Sequence, residues 1–237
     1  MLCKNTKNNG FTLVEMSIVL VVIGLIIGGI LAGTSLVESS RRQSVMADVE
    51  TYKTQIEIFE DKYAGLPGDL FNAEEHWPDA SYSTDNGDGD GVIESATAED
   101  FLLWEHLYLA DLVAFAYSGA GPNYLVNDNI PESQYKGKGF RALSTSGALI
   151  YTAAATIRKR IELASPNTAS FNNSALLPKD AENIDVKMDD GLPSTGYVVA
   201  LNGADATNNC VVTSAGLTSY ILRNKEEECI LIFYVEK

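Results

Sequence analysis

Met16 to Val37 is a run of 22 residues without a charge, and a carboxylate, Glu15, stands at its head. As a helix rising about 1.5 Å per residue, the run reaches roughly 33 Å, enough to cross the hydrocarbon core of a bilayer. A charge at the bilayer centre costs on the order of 2.5–3.5 kcal/mol, and less towards the edge, so an acid at the mouth of such a helix calls for a partner. A plain secretory signal would have an apolar region of about 7–15 residues followed by a small-x-small cleavage site. Here the run is longer, and Leu31-Ala32-Gly33 is followed by Thr34. A plain single-span anchor has no use for Glu15.

The apolar pattern continues past the run in a different form. Val45, Val49, Tyr52, Ile56, Phe59 and Tyr63 recur every three or four positions. That spacing makes one face of a helix, with Arg41, Asp48, Glu57, Glu60 and Asp61 turned elsewhere. A single helix from Phe11 to Tyr63 would be roughly 80 Å long. Ala64-Gly-Leu-Pro-Gly-Asp69 then ends it.

The polar leader Met1 to Gly10 carries Lys4 and Lys7 and ends in glycine just before Phe11-Thr-Leu-Val-Glu15. Leader, Gly10, Phe11, Glu15 and the unbroken apolar run together resemble the prepilin signal of type IV pilins and secretion pseudopilins. The resemblance implies a prepilin peptidase that cuts between Gly10 and Phe11 and methylates the new terminus. It also implies that the cationic amine of Phe11 meets Glu15 of a neighbouring subunit, so that Glu15 selects the offset at which it is neutralised. Gly24, Gly28, Gly29 and Gly33 supply small-xxx-small spacings for close helix approach. Many family members carry a helix-breaking proline in this region. This chain has Ala32 there and its first proline at Pro67, which leaves local unwinding to Gly28-Gly29.

The composition narrows the rest. With 17 basic and 32 acidic residues the net charge is −15, and removal of Lys4 and Lys7 with the leader takes it to −17. Such acidity lacks a general grip on phosphates, so no nucleic-acid partner is expected. Cys3 leaves with the leader, and the remaining pair, Cys210 and Cys229, reads as a disulfide of an exported domain. No nucleophile–base arrangement or phosphate loop appears, so the expectation is a non-enzyme that is itself a peptidase substrate. His76 and His106 are the two histidines, and structural roles are expected for both.

One stretch suggests a ligand. In Asp85-Asn-Gly-Asp-Gly-Asp-Gly-Val-Ile-Glu94, Asn86, Asp88 and Asp90 fall on alternate ligand positions of an EF-hand-type loop with Gly91 at its turn. The twelfth position is Thr97 rather than glutamate, leaving closure to Glu94 or Glu99. Calcium is therefore a candidate ligand for Asn86, Asp88, Asp90 and Glu94, though no cofactor is required. The alternative is a hydrated Asp-Gly turn. Calcium-stabilised loops occur in some pseudopilins.

Downstream, Thr97-x-x-Asp100 resembles a helix cap before Phe101-Leu-Leu-Trp104, and Tyr117 to Gly139 reads as loop. Leu143 to Leu163 is open between helix and strand, with Arg158-Lys-Arg160 assigned to a helix C-terminus. Pro178 to Asp190 reads as a helix stopped by Gly191, with a solvated cap favoured over a metal role for Asp189-Asp190. Residues 196–201, 210–212, 218–222 and 229–235 read as strands. The expectation is an α+β, pilin-like fold in which one long N-terminal helix packs on a C-terminal antiparallel sheet with a helical and loop insert. Its parts are a leader (1–10), a membrane or filament-core half-helix (11–37), a second half-helix (38–63) and an exported head (64–237).

The function implied is that of a structural subunit, minor or specialised, of a type IV pilus or type II secretion pseudopilus. Its partners would be the prepilin peptidase, other pilin or pseudopilin subunits and the inner membrane, with the head in the periplasm. The alternative is a membrane-tethered, calcium-binding adhesin or receptor domain that does not polymerise.

Overall fold

The computed structural model describes residues 11–78, 85–121, 123–146, 157–167, 170–214 and 216–235. The leader with Gly10 lies outside the described residues, as do 79–84 of the turn-rich region and 147–156 of the helix-or-strand region. The chain divides into two compact units, Met1–Arg41 and Arg42–Lys237. The dividing point falls within one helix.

That helix, α1, runs from Leu13 to Tyr63. Among the described residues it is the one helix long and apolar enough to cross a membrane. No residue from Phe11 to Ser40 is buried. The three hydroxyls within the apolar run bond back to their own helix: Ser17 to the Val14 carbonyl, Thr34 to Leu31 and Ser35 to Ala32. Each donor is thereby satisfied without water, which lets a polar residue sit in lipid. From Arg42 onward the helix behaves as a core element. Val45, Val49, Ile56 and Phe59 are buried and Tyr52 and Tyr63 half-buried, the stripe expected from the spacing. The helix ends where Ala64 turns to a φ of +54°, so an alanine, not Gly65, takes the left-handed position.

The head unit is built on a five-stranded antiparallel sheet. Its strands are β1 (Gly139–Ser146), β2 (Ile157–Pro166), β3 (Phe171–Asn173), β4 (Val198–Asn202) and β7 (Cys229–Tyr234). They are ordered β1-β2-β7-β4, with β3 added to β2. A separate hairpin joins β5 (Val211–Ser214) to β6 (Leu217–Tyr220). Among the described residues three short helices accompany them: α2 (Ala73–His76), α3 (Glu99–Leu109) and α4 (Pro178–Met188). The fold is thus one long N-terminal helix packed with an antiparallel sheet and small helices, a pilin-like α+β arrangement. Trp104, Phe59, Phe140, Phe171 and Phe233 are its largest fully buried side chains. Each contributes on the order of 1.5–3 kcal/mol by leaving water.

Two local expectations are corrected. Arg158-Lys159-Arg160 lies on strand β2, not at a helix C-terminus. The strand wins because period-two alternation places Ile161 and Leu163 in the core, while the long cations find acids nearby. Lys159 pairs with Glu60 at 2.6 Å and Arg160 with Glu162 at 2.8 Å. Glu162 is also paired with Arg141, whose guanidinium donates to the Tyr124 hydroxyl at 2.9 Å and lies 5.2 Å from the Phe171 ring centroid. Opposite charges and hydrogen bonds together make this buried set tolerable. Thr97 likewise does not cap α3. Ala98 occupies the cap with a φ of +65° and no side-chain bond. Asp100 instead accepts from Ser95 Oγ at 2.8 Å and the Tyr124 hydroxyl at 2.6 Å.

Cys210 and Cys229 form a disulfide, with Cα atoms 4.8 Å apart. It ties the β5–β6 hairpin to the start of β7. Closing a loop of about twenty residues stabilises by roughly 3 kcal/mol on the chain-entropy model.

Candidate functional site

At the head of α1 the Thr12 hydroxyl oxygen accepts the Glu15 amide at 3.2 Å. In return Glu15 Oε2 accepts the Thr12 amide at 2.7 Å and the Thr12 hydroxyl at 2.8 Å. This is a reciprocal capping box: each of the two residues satisfies a backbone donor of the other. The carboxylate also sits at the positive end of the helix dipole. Glu15 therefore has a partner within its own chain, and the Thr12-x-x-Glu15 spacing is the sequence signal that marks it. The geometry has a second consequence. Glu15 is bonded to the Thr12 amide, so a terminus created at Phe11 would arise one residue from the group the carboxylate binds.

Farther along, a Cβ added at Gly24, Gly28, Gly29 or Gly33 would meet nothing within 4 Å. These glycines relieve no crowding inside their own chain.

A family model described as the prokaryotic N-terminal methylation motif matches residues 5–31. The chain carries the type IV pilin and pseudopilin signal. The signal implies processing by prepilin peptidase and assembly with pilin subunits, and together with the apolar helix it suggests membrane anchoring. No curated protein and no solved structure matches the chain. The signal covers the N-terminal segment and leaves the head to its own chemistry.

In the head, one acidic cluster forms around residues 85–99. Asp69, Asp88 and Glu99 bring carboxylate oxygens within 4.8 Å of one another. Both Asp69 oxygens accept backbone amides: Oδ1 from Gly89 at 2.7 Å and Asp90 at 3.1 Å, Oδ2 from Gly91 at 2.9 Å. Glu99 accepts from the Asp88 and Glu94 amides, each at 3.1 Å. The loop is thus wrapped around two acids supplied from outside it. Beneath it His106 is buried, with Nδ1 accepting the Gly68 amide at 2.9 Å and Nε2 facing the Asp85 carbonyl at 3.3 Å. Burial pushes the His106 pKa down to about 4, so the ring is neutral and Nε2 carries the hydrogen.

Of the four ligands expected from spacing, the structure brings Asp88 into the cluster. Asn86 instead accepts the Glu74 amide at 3.0 Å, Asp90 accepts the Val92 amide at 2.8 Å, and the Glu94 side chain is exposed. Asp69 lies far upstream of any loop spacing rule, so no local signal marked it. Burial raises the pKa of both Asp69 and Glu99, against the lowering effect of the amides they accept. The donor set is all oxygen; Asp69 Oδ2 and both Glu99 oxygens, each with one amide bond, keep a lone pair, whereas Asp69 Oδ1 already accepts two amides. Those properties fit a hard cation such as calcium.

A second acidic group, Asp185, Asp189 and Asp190, closes the end of α4. Asp185 accepts the Tyr220 hydroxyl at 2.7 Å and the Gly191 amide at 3.1 Å. Asp189 accepts the amides of Tyr197 and Val198, and Asp190 accepts the Thr195 hydroxyl at 2.6 Å. Burial pushes Asp185 up to about 6. These acids staple α4 to β4 and β6.

Proposed function

We propose that this protein is a structural subunit, minor or specialised, of a type IV pilus or type II secretion pseudopilus. In this reading it is cut between Gly10 and Phe11 and held in the inner membrane with its head in the periplasm until it polymerises. The observation that carries the reading is the N-terminal end of α1. The methylation motif, the Thr12–Glu15 capping box and glycines that serve no contact in their own chain coincide in one segment. Before assembly the capping box keeps Glu15 satisfied in lipid, where an unpaired carboxylate would be expensive. During assembly a neighbour's Phe11 ammonium competes for that carboxylate, trading neutral donors for an opposite charge. The bare glycines let neighbouring helices come close.

Filaments sheared from cells test this reading. Wild-type subunit is expected in the sheared fraction, whereas Glu15→Ala should be processed normally and be depleted from it at least tenfold (about 1.4 kcal/mol). Normal incorporation of Glu15→Ala would overturn the reading.

A second reading is favoured by the Asp69, Asp88 and Glu99 carboxylates: a membrane-tethered head that binds calcium and acts without polymerising. A site filled to about 100 times its Kd stabilises the head by roughly 2.7 kcal/mol. Calcium should therefore raise the melting temperature of wild-type protein and not of Asp69→Asn. Unchanged melting removes the metal from either reading.

A further inference from the structure

Residues 117–121 form an irregular strip laid along α3. Tyr117 and Gly119 are buried, Ser118 is half-buried, and Ala120 and Gly121 are exposed. The Tyr117 ring centroid is 6.0 Å from that of Trp104. At Gly119, where φ is +61°, an added Cβ would fall 1.9 Å from Glu105 Oε2. At Gly121 it would fall 2.6 Å from a Phe101 ring carbon. Glycine is therefore what lets the strip lie directly on the Glu105 carboxyl. On its other side the strip is tied by the Ser118 amide to the Asp128 carbonyl at 2.9 Å, and by Asn129 Nδ2 to the Ala120 carbonyl at 2.6 Å.

Glu105 is 2 % exposed, and its Oε1 has no hydrogen-bond partner among the described residues. Among the described residues the charged group acting on it is Asp85. The adjacent His106 on the same helix is neutral. The strip contributes the Tyr117 phenol, which burial holds in its protonated form, and Asp48 of α1 lies beyond Tyr117. None of these groups is a cation. An ionised Glu105 would be a buried charge facing another acid, without compensation.

We propose that Glu105 is a proton-operated latch: the neutral carboxyl lets the 117–121 strip lie closed on α3, and the ionised carboxyl drives the strip off so that water reaches it. Burial pushes the Glu105 pKa up to about 7, which places the change within ordinary environmental pH. Opening would uncover the aromatic surface between Tyr117 and Trp104 beside the exposed Phe115. The head would thus present different surfaces in acidic and neutral surroundings.

The test is hydrogen–deuterium exchange of full-length processed protein in detergent micelles at about pH 6 and about pH 8, corrected for the intrinsic pH dependence of exchange. The wild-type strip should open about tenfold more at the higher pH, following the ionised fraction of a group with its midpoint between the two. Glu105→Gln keeps the shape without the charge and should remove that response. An unchanged wild-type strip overturns the proposal without reference to any variant, and so does a Gln variant that responds like wild type.

Discussion

Two stretches of one helix have opposite relations to the rest of their chain. From Phe11 to Ser40 no side chain is buried, and the apolar surface of Leu25 is 72 % exposed. From Arg42 to Tyr63 the same helix buries Val45, Val49, Ile56 and Phe59 to 1 % exposure or less. The second stretch meets its solvent inside the chain: the sheet, α3 and the Trp104 cluster. In the proposed function the first stretch finds its solvent outside the chain, as lipid or as other copies of such a helix. Burial is thus a property of the molecule in one case and of the assembly in the other.

The comparison can be broken at several points. The largest effect is expected at Gly10. Gly10→Leu should abolish cleavage, leaving the leader-bearing form as the sole species on an immunoblot, while the melting of the head stays unchanged. A processed Gly10→Leu protein would sever the link between the motif and the peptidase. Next comes a matched pair within α1. Phe59→Ala should destabilise the head by about 3–5 kcal/mol in denaturant melts. Leu25→Ala, a truncation that costs about 2–5 kcal/mol in a packed core, should leave those melts unaltered. A drop at Leu25 would show that the first stretch packs on its own head after all. The smallest effect is expected at Thr12. Thr12→Ala removes the hydroxyl half of the capping box and should cost the helix start about 1 kcal/mol, roughly fivefold in population. Subunit uptake into filaments should fall by that order, well short of the loss at Glu15→Ala.

The same contrast explains how much could be read from the residues. The first stretch was legible as a long apolar helix carrying the methylation motif, because its constraints are local: a charge-free run with an acid at its head and a motif match confined to residues 5–31. Even there the capping role of Glu15 competes with a louder signal, since a charge beside an apolar run calls for an outside partner. In the head, elements with strong local markers were legible. The α1 stripe, α4 between Pro178 and Gly191, and the strand runs that became β4 to β7 all follow from period and punctuation. What escaped was whatever depends on residues distant in sequence. Arg158 to Arg160 looked like a helix end until Glu60 and Glu162 supplied partners on a strand. Asp69 joined the acidic loop only once the chain had folded back on itself. Glu105 showed nothing unusual within its helical run; its isolation comes from Gly119, which the fold places on top of it.

The account rests on a new terminus at Phe11, and mass spectrometry of the protein purified from its native membrane reads that terminus directly. The account predicts an N-terminal peptide that begins at Phe11 and carries a methyl group on its amine. A peptide that retains Met1 to Gly10, or one that begins beyond the apolar run, would contradict it.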